Sequence, residues 1–170
     1  MIKLKKLIVI LFFISLGVVL FNNEEEIIIP NNAIRFRVIA NSDSLGDQAE
    51  KMMIKETVEE KVYELIHGAD NASEVRSIIK DNMDTIEDIV RDYQVSYQIS
   101  YGNNYFPTKY YKGLTYPAGN YESLVITLGE GAGDNFWCVL FPPLCLLENS
   151  ESDVSDVEYE LYVKKLLEKF

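Results

Sequence analysis

The sequence predicts an α+β domain in which two helices pack on one face of a mostly antiparallel sheet, preceded by an N-terminal export or anchor segment. Three observations lead there. Period-two alternation marks one strand before a central helical region and more after it. Two capped stripes of helical period fill that region, and a lysine-led apolar stretch opens the chain. The 170 residues, 48% hydrophobic and 12% aromatic, suffice for one core.

Residues 1–21 carry Lys3, Lys5 and Lys6, then an apolar run from Leu7 to Phe21 broken only by Ser15 and Gly17. At about 1.5 Å per residue the run reaches roughly 22 Å, short of the ~30 Å hydrocarbon core. That length suits a cleaved signal peptide, whereas the scarcity of small residues at a cleavage site suits a retained anchor, so both readings stand. In either case the lysines stay cytoplasmic and the remainder is expected across the membrane. Residues 22–33, beginning NNEEEIIIP, form a spacer, and the domain is expected over 34–147.

In IRFRVIAN, Ile34, Phe36 and Val38 alternate with Arg35 and Arg37, the pattern of a strand with one buried face. Ser44 followed by Asp47 caps a first helix with Ile54, Val58, Val62, Leu65 and Ile66 on one face, ended by Gly68. Asn71 followed by Glu74 starts a second, striped by Val75, Ile78, Ile79, Met83, Ile86, Ile89 and Val90. Tyr93 to Gly102 alternates as a half-exposed strand, and a tyrosine-rich connection follows. ESLVITL and FWCVLF then read as two strands, the second buried on both faces, joined by GEGAGDN as an antiparallel hairpin. Residues 148–170 make an acidic tail whose last part can form a short amphipathic helix through Val157, Leu161, Val163, Leu166 and Leu167.

Sixteen Lys and Arg against 27 Asp and Glu leave a net charge of −11, which opposes binding to nucleic acid. Gly129, Gly131 and Gly133 are spaced as in a phosphate loop, but the loop leads into a strand instead of a helix, and Glu130 and Asp134 would repel an anion. Turn glycines explain them better. A cysteine nucleophile needs a base, and the single histidine, His67, sits at the end of the first helix with no orienting group. No catalytic set, cofactor site or metal site is expected. Cys138 and Cys145 flank a double proline outside the reducing cytoplasm. A disulfide between them and a pair of reduced core cysteines are the two accounts of them. Asn41-Ser-Asp-Ser44 fits capping and Asx-turn chemistry better than a cation site. The stretch from Tyr105 to Tyr121 holds more aromatics than a connector needs. Phe106, Lys109, Tyr110, Tyr111 and Tyr116, with Asn135 and Trp137 of the glycine hairpin, are therefore the candidate partner-binding residues, and packing over the sheet end is the competing account.

RFRVIANSDSLGDQAEK, FPTKYY and YPAGNYESLVITLGEGAGDNFWCVLFPPLC together resemble the stage II sporulation protein R family of endospore-forming bacteria, over about Arg35 to Cys145. Leu45-Gly46 and Phe136 depart from its more frequent residues. The resemblance implies a protein made in the forespore and exported into the space between the septal membranes. There it would trigger the membrane-bound aspartic protease called stage II sporulation protein GA, which processes pro-sigma-E in the mother cell. On that reading the chain is a ligand and not an enzyme, and the membrane is a partner only if the N-terminal segment is retained. An extracytoplasmic thiol-dependent enzyme or a generic envelope binding module is the alternative.

Overall fold

The computed structural model describes residues 32–111 and 114–145, together with Lys165. The export or anchor segment, most of the spacer and the tail helix lie outside the described residues. Nine elements follow in the order β1 (Ile34–Ile39), α1 (Leu45–Ile66), α2 (Ala72–Asp81), α3 (Met83–Arg91), β2 (Tyr97–Phe106), β3 (Lys109–Tyr111), β4 (Leu114–Tyr116), β5 (Gly119–Leu128) and β6 (Asn135–Phe141). The main sheet has the order β2-β5-β1-β6, with β3 and β4 as a separate two-stranded ribbon. The α+β class holds, with antiparallel pairing everywhere in the main sheet except between β1 and β5.

Capping starts the helices where the sequence places them. Ser44 Oγ accepts from the Asp47 amide at 3.1 Å, and Asn71 Oδ1 accepts from Ser73 and Glu74 at 3.0 and 3.1 Å. The second expected helix is two, broken at Asn82. There φ is −113°; the Asn82 backbone amide is shared between the Ile78 and Ile79 carbonyls at 3.1 and 3.2 Å, and its side-chain amide adds a second bond to the Ile78 carbonyl. β2 begins four residues later than its alternation suggests, because the Tyr93 and Gln94 amides still bond back to Val90 and Arg91, with Gln94 at φ 56°. The stretch read as a connector is mostly strand: it holds the end of β2, the β3–β4 ribbon and the start of β5.

One sheet face packs the helices. Phe36 and Val38 of β1, Leu124, Ile126 and Leu128 of β5, and Cys138 and Leu140 of β6 meet Ile54, Val58 and Val62 of α1, Val75 and Ile79 of α2, and Ile86 and Val90 of α3. At roughly 1.5–3 kcal/mol per fully buried aliphatic side chain, this layer dominates the stability. A polar tie crosses its edge. Arg76 of α2 holds Glu122 of β5 through both carboxylate oxygens at 2.7 and 2.6 Å, and Tyr101 of β2 donates to the same carboxylate at 3.0 Å. These bonds, those from Arg76 foremost, hold the Glu122 carboxyl below its usual range.

The expected hairpin between the last two strands is absent, because β1 lies between β5 and β6. Residues 129–134 instead cross the end of β1 and are bonded to the segment that follows it. Asn41 Oδ1 accepts from the Glu130 amide at 3.0 Å, and Asp43 Oδ1 accepts from the Asp134 amide at 2.6 Å. Ala132 and Gly133 amides donate to the Asn41 and Ala40 carbonyls at 3.1 and 3.0 Å. Gly129 and Gly131 take φ 54° and 62°. At Gly133 the reason for glycine is contact, since a Cβ there would lie 2.3 Å from the Ser42 carbonyl oxygen.

Gly133→Ala should therefore cost about 1–3 kcal/mol and lower the thermal midpoint by several degrees. Gly46→Ala, in α1 with its nearest contact at 3.9 Å, should be neutral or stabilising by up to about 1 kcal/mol. Thermal melts of the two variants check both. The lowered Glu122 carboxyl sets an acid dependence: its stabilisation is complete above the ordinary carboxylate value of 4.5 and is lost as pH falls through the lower folded value. Glu122→Gln should melt lower than wild type at neutral pH, and the gap should close on acidification below that range; a gap constant with pH would contradict the assignment.

Candidate functional site

The face of the sheet turned away from the helices is built from the other half of each alternation. The strand register sets side chains in rows across it: Asn135, Ile39, Thr127 and Gln98; then Trp137, Arg37, Val125 and Ser100; then Val139, Arg35, Ser123 and Gly102. Tyr121 and Phe106 lie further along the same face. Asn104 Nδ2 links β2 to β5 there by donating to Ser123 Oγ at 3.0 Å.

Arg35 is 1% exposed and lies among rings. Its guanidinium carbon is 3.3 Å from the Tyr121 ring centroid and 5.4 Å from those of Phe106 and Trp137. The rings meet edge to face, Phe106 with Trp137 at 5.5 Å and with Tyr121 at 6.1 Å, and Tyr116 with Trp137 at 5.1 Å. Arg37 is half-buried, 5.6 Å from the Phe106 centroid, and its Nη1 donates to the Tyr105 carbonyl at 3.3 Å. Lys109 Nζ stands 5.0 Å over Trp137. Burial lowers both arginines from their ordinary value, with Tyr121 opposing the shift at Arg35; a guanidinium nevertheless stays charged in a protein. Among the described residues Arg35 Nε and Nη1 and Arg37 Nε are buried without hydrogen-bond partners, so the charge of Arg35 rests on ring faces, while Arg37 also has its bond to the Tyr105 carbonyl.

Four of the candidate partner-binding residues, Phe106, Lys109, Tyr116 and Trp137, converge in this cluster, and Asn135 begins β6 on the same face. Phe106 is fully buried and Tyr116 and Trp137 are 6% exposed, which is the burial that packing over the sheet end requires. Tyr110 and Tyr111 pair with Thr115 and Leu114 along the ribbon backbone, and their side chains lie outside the described residues. The alternation of IRFRVIAN placed both arginines opposite the core; that aromatics from β2, β5 and β6 would meet them there had no sequence signal.

Elsewhere the chemistry is spent on structure. Cys138 and Cys145 are joined by a disulfide, with Cα atoms 5.2 Å apart, so neither supplies a thiolate. Exposed His67 ends α1, beside a surface cleft lined by Gly68, Ala69, Ser73, Glu74, Ser77 and Ile78. Asn41 and Asp43 direct their oxygens at loop amides, and Asp47 accepts from Asn41 and Ser42, which lowers its carboxyl. Among the described residues no group of three or more His, Cys, Asp or Glu is placed to hold a metal ion. α1 also buries a charged stripe that the sequence reading missed: Lys55 bonds Glu59 at 2.6 Å and sits 4.7 Å over the Phe136 ring, while Lys51 donates to the Asp134 carbonyl at 3.2 Å.

The sequence profile of the stage II sporulation protein R family matches residues 30–151. Stage II sporulation protein R of Bacillus subtilis (strain 168) is 35% identical over 155 residues, covering 87% of this chain and 69% of that protein. No solved structure matches the chain.

Burial separates two neighbours in β2. Phe106→Ala should cost about 3–5 kcal/mol, a drop of more than about 10 °C in thermal midpoint, whereas Tyr105→Ala, at a residue 62% exposed, should stay within about 0.5 kcal/mol. Equal midpoints for the two variants would refute the cluster as a second core.

Proposed function

We propose, on the premise that the chain belongs to the stage II sporulation protein R family, that it is an exported sporulation signal that activates a membrane-bound aspartic protease, stage II sporulation protein GA, and so leads to processing of pro-sigma-E. In this reading the chain leaves the forespore through residues 1–21 and acts in the space between the septal membranes. The observation that carries it is the family match across the whole folded domain, from the spacer through both cysteines. The chemistry of the domain is in keeping with a ligand: its two cysteines are bonded to each other, its histidine is exposed at a helix end, and its lowered carboxyls, Asp47 and Glu122, bond the loop before α1 and tie α2 to the sheet.

The test is reconstitution in a non-sporulating host that makes the protease and its pro-sigma substrate. Co-expression of the full chain should produce processed sigma factor, and a chain lacking residues 2–21 should produce none. His67→Ala should process like wild type; its failure in a folded protein would point instead to an enzyme. Processing that is absent with the full chain, or equal without it, would end the proposal.

A further inference from the structure

We propose that the open half of the sheet face around Arg37 docks an acidic segment of the protein partner, with a partner carboxylate taken by the Arg37 guanidinium. The idea rests on the signalling reading above for the existence of a partner, and on charge and geometry for its chemistry. Of the four arginines, Arg76 and Arg91 have carboxylates on their own chain, whereas among the described residues Arg35 and Arg37 meet rings and one carbonyl and no carboxylate. They stand two residues apart on one strand, their like charges facing the same way, with Lys109 on the same side. The three central rows of this face contain no acidic residue, in a chain with 27 of them.

The two ends of the face differ. Where Phe106, Tyr116 and Trp137 pack, it is closed. Toward Ile39, Thr127, Gln98 and Ser100 the side chains stay half-buried or exposed, and Arg37 lies at the boundary. A carboxylate there would meet a partly desolvated guanidinium whose only hydrogen bond among the described residues is to a carbonyl, which balances polarity but not charge. Arginine beside aromatics is also the composition of interface hot spots. A second copy fits poorly, because a two-fold contact pairs this face with itself and its central rows offer Arg37 no carboxylate. A phosphate polymer or anionic bilayer would be repelled by the net charge of −11, while a short acidic segment can meet the basic rows alone.

The same reconstitution tests the surface with full-length Arg37→Gln and Arg37→Lys. At equal exported level and with thermal midpoint near wild type, Arg37→Gln should slow processing by roughly tenfold or more, as for loss of a charge-assisted hydrogen bond, and Arg37→Lys should recover most of it. If wild type processes and Arg37→Gln matches it, the surface is wrong and the signalling reading survives. If wild type fails to process, the signalling reading falls, and direct titration decides the surface. A synthetic Glu/Tyr-rich peptide should bind purified full-length chain, weaken as salt is raised, and lose roughly tenfold in affinity for Arg37→Gln, while its Gln/Tyr analogue should not bind. Should Arg37→Gln fold poorly, the Arg37→Lys binding and the Gln/Tyr peptide still decide. Equal binding of both peptides, affinity indifferent to salt, or an Arg37-dependent dimer in sedimentation would each overturn the acidic-partner proposal.

Discussion

The placement of β1 between β5 and β6 is the constraint on which the rest of the structure depends. It forces the chain leaving β5 to pass over the end of β1, and that passage is made by the backbone amides of Glu130, Ala132, Gly133 and Asp134 donating to Ala40, Asn41 and Asp43. The two segments can approach so closely only with glycine at the crossing. At Gly129 a Cβ would lie 2.1 Å from the Asn41 side-chain oxygen, and at Gly133 it would meet the Ser42 backbone. The polar residues after β1 thus serve three structures at once: the crossover, the cap of α1 through Ser44, and the Asp47 carboxylate bonded back to Asn41 and Ser42.

The sheet then has two differently built faces. Toward the helices it is mainly hydrocarbon, stabilised by burial, with the Cys138–Cys145 disulfide within it and the Arg76–Glu122–Tyr101 tie and the Tyr97–Glu87 bond at its edges. Away from them it is a layer of arginine and rings, where a guanidinium that would be costly in hydrocarbon sits on the negative faces of Tyr121, Phe106 and Trp137. The β3–β4 ribbon lends Lys109 and Tyr116 to that layer. Both faces of the four-stranded sheet therefore carry buried packing, and charge reaches the surface only toward the Arg37 end of the second.

Much of this was legible from local signals. Ser44 and Asn71 mark helix starts because a side-chain oxygen at the N-cap satisfies amides within its own turn, and the alternation of IRFRVIAN assigns Phe36 and Val38 to the core because strand period is local. The failures are non-local. Nothing in GEGAGDN distinguishes a hairpin from a crossover, since the inserted strand lies almost a hundred residues upstream. The break at Asn82 is a local change of φ, accompanied by a side-chain bond to the Ile78 carbonyl, within an unbroken apolar stripe. The aromatics from Tyr105 onward were noticed for their density, but their burial depended on Arg35 and Trp137, which reach them only through the sheet. The charged stripe of α1 was invisible because Lys51, Lys55 and Glu59 are buried by their neighbours and not by their own hydropathy.

The first strand of the domain finds its partners last. Arg35 pairs with Ser123, and Ile34 with Phe141, so β1 has no neighbour until nearly the entire domain has been made. Such high contact order slows folding, because closing large chain loops precedes the contacts that reward it. A chain emerging N-terminus first would hold its central strand unpaired until β5 and β6 arrived. Its helices could form early, but the sheet would close only when the far end of the domain had been made.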